Sequence, residues 1–293
     1  MGVLIPMREE ANISGTWNIH KKRKLNSLIL NVFLLTGAIV TIFPLIWMFV
    51  SSVKPMKEII KMPPDFFPKA PTLGNFLTLF ETLPFLRFLL NSILVTVIST
   101  VILVFVCALT GYVFAKFNFH GKKILYSLIL MTMMIVDEVL VLPLFMMITE
   151  VQLNNSYIAL ILPFLATGFG VFLMRQFITS IPSELIEAAT IDGANYFKIF
   201  ITIIIPLVKP ALSSLTIFNF IWMWNMLMWP VVVVDSESMM TLQIAMSRFT
   251  SMYMTRYDLT MAAAAVATIP VLIIYVVLQK NFVKGIALTG LKQ

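Results

Sequence analysis

The chain has 293 residues, of which 59% are hydrophobic and only 12% are charged, and its formal net charge is +7. Soluble domains carry charged residues at about a quarter of their positions, so this composition excludes an ordinary soluble domain. The sequence contains no basic groove pattern with interleaved aromatic residues, which argues against a nucleic-acid partner.

Long apolar runs predict an all-α polytopic membrane protein with six transmembrane helices. Five runs have no charged residue and are 21 residues or longer, and one further run is interrupted only by Asp137 and Glu138. In chain order the six runs are 25–53, 88–115, 124–149, 151–174, 210–234 and 259–279. About 20 apolar residues cross a bilayer as a helix, and a helix satisfies its own backbone hydrogen bonds. One six-span domain is therefore predicted over residues 28–283.

The segments that join the runs predict the orientation of the chain. The N-terminal segment, residues 1–27, contains the basic stretch "HKKRK", and the apolar run after it is too long for a cleavable signal. With the N-terminus in the cytoplasm, the inner segments hold fourteen Lys and Arg and five acids, whereas the outer segments hold seven of each. This distribution follows the positive-inside rule, so residues 1–27 and the tail 284–293 are predicted to be cytoplasmic.

A polar segment, about residues 178–207, separates the fourth and fifth runs. Pro182 and Ser183 are typical of a helix start, and the acids that follow favour the positive end of a helix dipole. Gly193 can adopt a positive φ and end this short helix, after which "ANYFKIFITIII" begins a second helix in a new direction. The small side chains of Ala188 and Ala189 would leave a smooth surface that can enter a cleft in another protein. The alternative is an amphipathic segment lying on the membrane.

The spacing of residues in this segment resembles a family signature. Glu-Ala-Ala, followed after three residues by Gly and after nine more by Ile-x-Ile-Pro, resembles the loop of ABC-importer permeases of the binding-protein-dependent type. The only departure is Ile205, where the family has leucine. Four further stretches resemble the carbohydrate branch of this family, and within it the G-type subunit of maltose permeases. They are "NSILVTVISTV", "AKFNFHGKK", "WNMLMWP" and "FVKGIALTGLKQ". The resemblance covers residues 88–293, with a transmembrane core at about 88–283.

The resemblance implies the transmembrane domain of a type I ABC importer, in which this chain forms half of the pathway for a sugar or oligosaccharide. The polar segment would be a cytoplasmic coupling helix that docks on a separate ATPase. The residues that match this role are Glu187, Ala188, Ala189, Asp192, Gly193, Ile203 and Pro206. The chain has no Gly-x4-Gly-Lys-Ser/Thr motif, so it is expected to be non-catalytic and to hold no cofactor, with ATP and Mg²⁺ used by the ATPase.

The same resemblance implies the partners and the location. The partners would be a second permease subunit of six or more spans, two copies of the ATPase, an extracytoplasmic binding protein and the lipid of the bacterial cytoplasmic membrane. The outer loop 235–257 would contact the binding protein, and the tail after Lys284 would reach the ATPase. Cys107, His20 and His120 lack the spacing of metal ligands, so no metal site is expected.

Residues of three spans are candidates for the substrate pathway. A continuous third helix would place Asp137 and Glu138 about 20 Å along its length, where an unpaired charge costs at least about 2.5 kcal/mol. One acid would accept hydrogen bonds from sugar hydroxyls; alternatively, a neighbouring helix or water satisfies the pair. In the fifth span Trp224, Asn225 and Trp229 would form a sugar track, or the tryptophans favour the membrane interface. A set in the second span, better explained as contacts between helices, comprises Asn91, Ser92, Thr96, Ser99 and Thr100.

Other functions stay open from the sequence. The first is the same class of importer for a non-sugar solute such as glycerol phosphate or a peptide, although Asp137 and Glu138 would repel an anionic solute. The second is a secondary transporter, which would need inverted repeats and broken helices that the sequence pattern does not predict. A membrane scaffold without transport would leave the coupling spacing unexplained.

Overall fold

The computed structural model describes residues 13–252 and 256–290, with side chains described for residues 27–248 and 256–280. Every regular element in these ranges is helical, so the all-α prediction is confirmed. The helices are α1 (Ile13–Ser52), α2 (Met56–Ile59), α3 (Gly74–Thr82), α4 (Phe85–Lys116), α5 (Lys122–Thr132), α6 (Asp137–Glu150), α7 (Tyr157–Ile161), α8 (Gly168–Thr179), α9 (Glu184–Ile191), α10 (Tyr196–Ile199), α11 (Ile205–Leu207), α12 (Lys209–Trp224), α13 (Met228–Val233), α14 (Leu242–Met252) and α15 (Tyr257–Gly290). The predicted terminal segments and outer loop fall partly outside the described residues, at 1–12, 253–255 and 291–293.

Helices that are long and apolar enough to cross a membrane come in two kinds. Three are single helices, within Ser27–Ser52, Phe85–Lys116 and Tyr257–Lys280. Three are pairs bent at a short break, namely Lys122–Thr132 with Asp137–Glu150 at 103°, Tyr157–Phe164 with Gly168–Thr179 at 48°, and Tyr196–Leu207 with Lys209–Trp224 at 81°. Among the described residues there are therefore up to six spans if each bent pair counts once. The six crossings stay a prediction, and the expectation of unbroken helices is wrong for three of them.

The bend in the third run separates α5 from α6. Backbone turns follow Thr132, and Val136 is extended with φ −77° and ψ 129° immediately before α6 begins. Asp137 and Glu138 then occupy the first turn of α6, where the positive end of the helix dipole stabilises a carboxylate. The estimate of their depth from a straight third helix is therefore wrong, because the rise of 1.5 Å per residue does not continue through the bend.

A bend just before the fifth run separates α11 from α12 at Val208. A π-helical segment, Phe200–Ile204, leads into α11, and Val208 donates to the oxygen of Ile204 at 3.0 Å. Pro210 stands in the first turn of α12, where its missing N–H breaks no helical hydrogen bond. Residues Tyr196–Leu207 therefore meet α12 at a steep angle of 81°.

The buried core forms two clusters joined by α4. One cluster packs the first half of α4 against α3, α13, α14 and α15, and the other packs its second half against α8, the segment after α9 and α12. Glycines let α4 and α8 approach closely, since a Cβ on Gly111 would lie 2.7 Å from the Cβ of Met174 and one on Gly170 would lie 2.6 Å from the Sγ of Cys107.

The first outer loop is a cap tied down by polar contacts. It contains the short helix α3, and the Asn75 amide donates to the carbonyl oxygens of Ser52 and Lys54 at 2.8 and 2.9 Å. The buried Lys54 ammonium donates to the backbone carbonyl oxygen of Asp65 at 2.7 Å and lies 4.6 Å from the ring centroid of Trp47. A buried ammonium is tolerated here because both contacts offset its lost hydration.

Candidate functional site

Helix α9 lies in the predicted polar segment, and its end has the expected geometry. Gly193 has φ +79°. Its N–H donates to the carbonyl oxygen of Thr190 at 3.0 Å, and the N–H of Ala194 donates to the carbonyl oxygen of Ala189 at 2.9 Å. A Cβ on Gly193 would meet no atom within 4 Å, so the backbone angle rather than space requires glycine. Asn195 then caps α10 by accepting from the N–H of Lys198 at 2.8 Å. The prediction of a helix ended at Gly193 is confirmed.

The two sides of α9 have different surroundings. Ile186 and Ala189 pack on the second core cluster and are half-buried. Leu185, Ala188 and Ile191 are exposed, Leu185 by 45% and Ile191 by 86%. The expectation that Ala188 and Ala189 share one surface is therefore wrong, because adjacent helical residues point about 100° apart. Ala188 faces outward and Ala189 anchors the helix.

The other predicted coupling residues divide between the surface and the bend. Glu187 and Asp192 are exposed, Glu187 in the first turn of α9 and Asp192 at its C-terminal cap. Ile203 is half-buried in the π-helical segment, and the exposed Pro206 lies in α11 just before the 81° bend. Glu187, Ala188 and Asp192 are thus all exposed, whereas Ile203 and Pro206 lie in the connection to α12.

The fifth-span tryptophans are core residues. Trp224 and Trp229 are 3% and 2% exposed, and their Nε1 atoms donate to the carbonyl oxygens of Ala267 and Ala159 at 3.1 and 3.0 Å. Their assignment to a sugar track is corrected, because neither ring face is open to a solute. Asn225 is exposed in the gap between α12 and α13, and its Nδ2 donates to the oxygen of Ile221 at 2.9 Å.

Asp137 and Glu138 keep exposed side chains at the start of α6. Neither forms an ion pair with any residue whose side chain the structure describes. The same surface continues along α6, where Val139, Leu142, Met146 and other apolar residues are exposed. Both carboxylates are therefore available to a solute, to water or to another membrane chain.

Two polar residues of the second span, Asn91 and Ser92, hold residues 238–242 onto α4. The Asn91 amide donates to the oxygens of Ser238 and Met240 at 3.0 and 2.9 Å and accepts from the Tyr157 hydroxyl at 2.7 Å. Ser92 accepts from the N–H of Leu242 at 2.7 Å. Sequence reasoning missed the partner Tyr157, since nothing in the local pattern links positions 66 residues apart.

Comparison with known proteins identifies the family. Residues 107–288 match the model of the binding-protein-dependent transport system inner membrane component. The chain belongs to this family. The permease is 33% identical to the arabinooligosaccharides transport system permease protein AraQ of Bacillus subtilis (strain 168) over 266 residues, which are 90% of this chain and 95% of that relative. It is 31% identical to the sn-glycerol-3-phosphate transport system permease protein UgpE of Pectobacterium atrosepticum, over 87% of this chain and 94% of the relative.

The fold of the permease matches a solved structure along nearly its whole length. A bacterial ABC transporter involved in the import of the acidic polysaccharide alginate superposes with a TM-score of 0.75, covering 95% of the permease and 100% of the compared chain at 24% identity. The predicted family and the predicted importer fold are confirmed. The family match includes α9 and the bend after it, whereas the first span and the outer cap precede it.

Proposed function

We propose that this permease forms one half of the translocation pathway of an ATP-driven importer for an oligosaccharide that an extracytoplasmic binding protein delivers. Membership of the family of inner membrane components supports the transport role and a location in the bacterial cytoplasmic membrane. The excess of Lys and Arg in the predicted inner segments supports cytoplasmic termini. The arabinooligosaccharide relative supports the substrate class, because it is similar over 90% of the chain.

The observation that carries the proposal is the exposed apolar surface of α9. Leu185, Ala188 and Ile191 leave the outer side of this helix without contacts to the described core, although its inner side is anchored through Ile186 and Ala189. A short amphipathic helix of this kind gains stability by entering a groove of a partner. The partner proposed here is a separate ATPase, which binds ATP and Mg²⁺ and is present in two copies.

Movement of α9 would reach the spans by a short route. The helix is joined through Gly193 and α10 to the π-helical segment, and that segment meets α12 at the 81° bend. Closure of the ATPase pair on α9 would therefore tilt α12 and open the pathway to the other side. A six-span chain forms only part of such a pathway, so a second permease subunit is proposed to cover the exposed face of α6.

A second candidate function is import of a non-sugar solute by the same mechanism. It is favoured by the similarity to the glycerol-3-phosphate permease UgpE. The exposed carboxylates of Asp137 and Glu138 argue against it, because two uncompensated negative charges repel a phosphate.

Cysteine cross-linking tests the proposed function. Cys107 is buried, so a thiol introduced by Ala188→Cys is the accessible one within the described side chains. In native membranes, a thiol cross-linker at this position is expected to capture a nucleotide-binding subunit identified by mass spectrometry. Glu150→Cys, exposed at the far end of α6, is the matched control and should capture none. Failure of the Ala188→Cys variant to capture an ATPase, with the chain correctly inserted, would overturn the proposal.

A further inference from the structure

An open cavity of about 560 Å³ lies between the end of α4 and the α9 segment. From α4 and its cap it is lined by Tyr112, Lys116 and Phe117. From the α9 segment it is lined by Ser183, Ile186, Glu187, Thr190, Ile191 and Tyr196. Small-molecule sites in proteins have volumes of a few hundred to about 1,000 Å³, so the cavity is large enough for one. It adjoins the exposed apolar surface of α9 at Ile191, whereas Leu185 and Ala188 of that surface lie outside its lining.

The Tyr112 hydroxyl is the unusual group in this cavity. Tyr112 is 2% exposed, and among the described residues its Oη has no hydrogen-bond partner. Its ring is fixed by stacking on Phe200, with centroids 5.5 Å apart, and by an edge contact with Phe117 at 5.3 Å. A buried hydroxyl without a partner is unfavourable, and nearly all such groups in proteins are satisfied. Because Tyr112 lines the cavity, a hydrogen-bonding molecule held there would supply the missing partner.

The remaining lining selects the chemistry of the occupant. Lys116 Nζ donates to the oxygen of Ile181 and has further protons to donate, and Glu187 supplies a carboxylate that accepts. Ser183 also lines the cavity, and its side chain makes no capping hydrogen bond to α9. One cation and one carboxylate balance in charge, and hydroxyls surround them. This set fits a neutral molecule that both donates and accepts hydrogen bonds.

An aromatic wall completes the recognition surface. The rings of Phe117 and Tyr196 meet edge to face with centroids 4.9 Å apart on one side of the cavity. Aromatic rings pack on the apolar C–H faces of a pyranose or furanose, while its hydroxyls bond to neighbouring polar groups. A neutral mono- or disaccharide has both properties, whereas a phosphate would need an excess of cations.

We propose that the cavity is a sugar-binding site between α4 and α9, distinct from the translocation pathway. The inference rests on the proposed function, because the sugar that accumulates inside the cell is of the class that the importer delivers. A sugar bound to Tyr112 on α4, to Ser183 just before α9 and to Thr190 within α9 bridges the two helices. It restrains the movement of α9 that import requires, so the imported product slows its own uptake.

Protection of a thiol from alkylation tests the site directly. In the full chain reconstituted in lipid vesicles, Thr190→Cys places a thiol on the cavity lining, whereas Ala188→Cys places one on the outer side of the same helix. Side chains two positions apart on a helix point about 160° from each other, so Ala188→Cys is a matched control. Maltose and glucose are expected to slow alkylation by a maleimide at position 190 severalfold and to leave position 188 unchanged.

A second substitution tests whether the protection depends on the Tyr112 hydroxyl. Tyr112→Phe in the Thr190→Cys chain should weaken protection by about threefold to tenfold, the value of one neutral hydrogen bond. Tyr126→Phe, which makes the same change on a ring beside Phe114 and outside the cavity, should leave it unaltered. Because Tyr112 makes no hydrogen bond within the described chain, its change to Phe should not impair folding.

The other outcomes would overturn the inference. Absence of protection by either sugar means that the cavity holds only water. Equal protection at positions 188 and 190 means that the effect is not local, and protection by glycerol 3-phosphate alone means that the ligand class is wrong. Protection that Tyr112→Phe does not weaken removes the role of the hydroxyl. These results are read without an ATPase, so they are distinct from a failure of the cross-linking experiment.

Discussion

The α9 segment (residues 183–195) and the aromatic segment (residues 222–230) both interrupt apolar helices, yet they are packed in different ways. Within α9 the structure describes no buried residue, and the outward Ile191 is 86% exposed. In the aromatic segment Trp224 and Trp229 are almost completely enclosed, and each ring N–H bonds to a carbonyl of a distant helix. The ring N–H groups of Trp224 and Trp229 are therefore hydrogen-bonded within the chain, whereas α9 leaves apolar surface for a partner.

This difference teaches that residue type alone does not identify a contact site in a membrane protein. Tryptophan is frequent in sugar sites, at membrane interfaces and in packed cores, so its presence does not distinguish among them. A short helix ended by a glycine with positive φ, between two spans, has a narrower meaning. It holds backbone and side chains outside the apolar runs, where they are accessible to another protein.

The largest expected effect comes from changing the end of α9. Gly193→Val should leave membrane insertion intact but abolish uptake and the coupling of ATP hydrolysis to the binding protein. The reason is that φ +79° is strongly unfavourable for a β-branched residue, so the helix end must rearrange. Gly193→Asn should retain most activity, because asparagine tolerates this conformation. Uptake by cells and ATPase activity of the reconstituted importer are the measurements.

Gly121 provides a matched control for that substitution. It has the same φ of +79°, a Cβ there also meets no atom within 4 Å, and it precedes α5 rather than ending α9. Gly121→Val should therefore introduce similar backbone strain and lower stability, while coupling per inserted molecule stays close to normal. Equal loss of coupling in both variants would show that general strain, rather than the position of α9, is responsible.

A smaller effect on transport, but a large one on stability, is expected in the aromatic segment. Trp229→Ala should lower the free energy of unfolding by about 3–5 kcal/mol, since it removes a large buried ring. Trp222→Ala should cost less, because Trp222 is 37% exposed and contacts mainly Phe164 at 5.2 Å. Thermal unfolding of the purified permease measures both. A stable Trp229→Ala protein with a raised KM for sugar would restore the sugar-track assignment.

The sequence predicts the features that depend on local chemistry. The six apolar runs, the helix over residues 184–191 and the positive φ of Gly193 each follow from composition or from one residue's backbone preference. The bend at Val136 does not, because no glycine or proline marks it. Its local sign is the pair of acids that follows, Asp137 and Glu138, which the sequence indicates as pathway candidates and not as a helix start. The enclosure of Trp229 does not follow either, since its partner carbonyl is 70 residues away.

The smallest effect is expected at a third place where an apolar run is interrupted, the start of α6, which can be compared with α9 and the aromatic segment. Asp137 and Glu138 are exposed like α9, so they are expected to act on another molecule rather than within the core. They point about 100° apart, so only one should face the pathway. We expect either Asp137→Asn or Glu138→Gln to change the apparent affinity for sugar by about threefold to tenfold, the value of one hydrogen bond, and the other to be nearly neutral. Uptake measured over a range of sugar concentrations, with Glu150→Gln at the opposite end of α6 as control, decides between them. If both variants match the wild type, the two carboxylates are hydrated or paired with another subunit, and exposure alone does not mark a residue of the pathway.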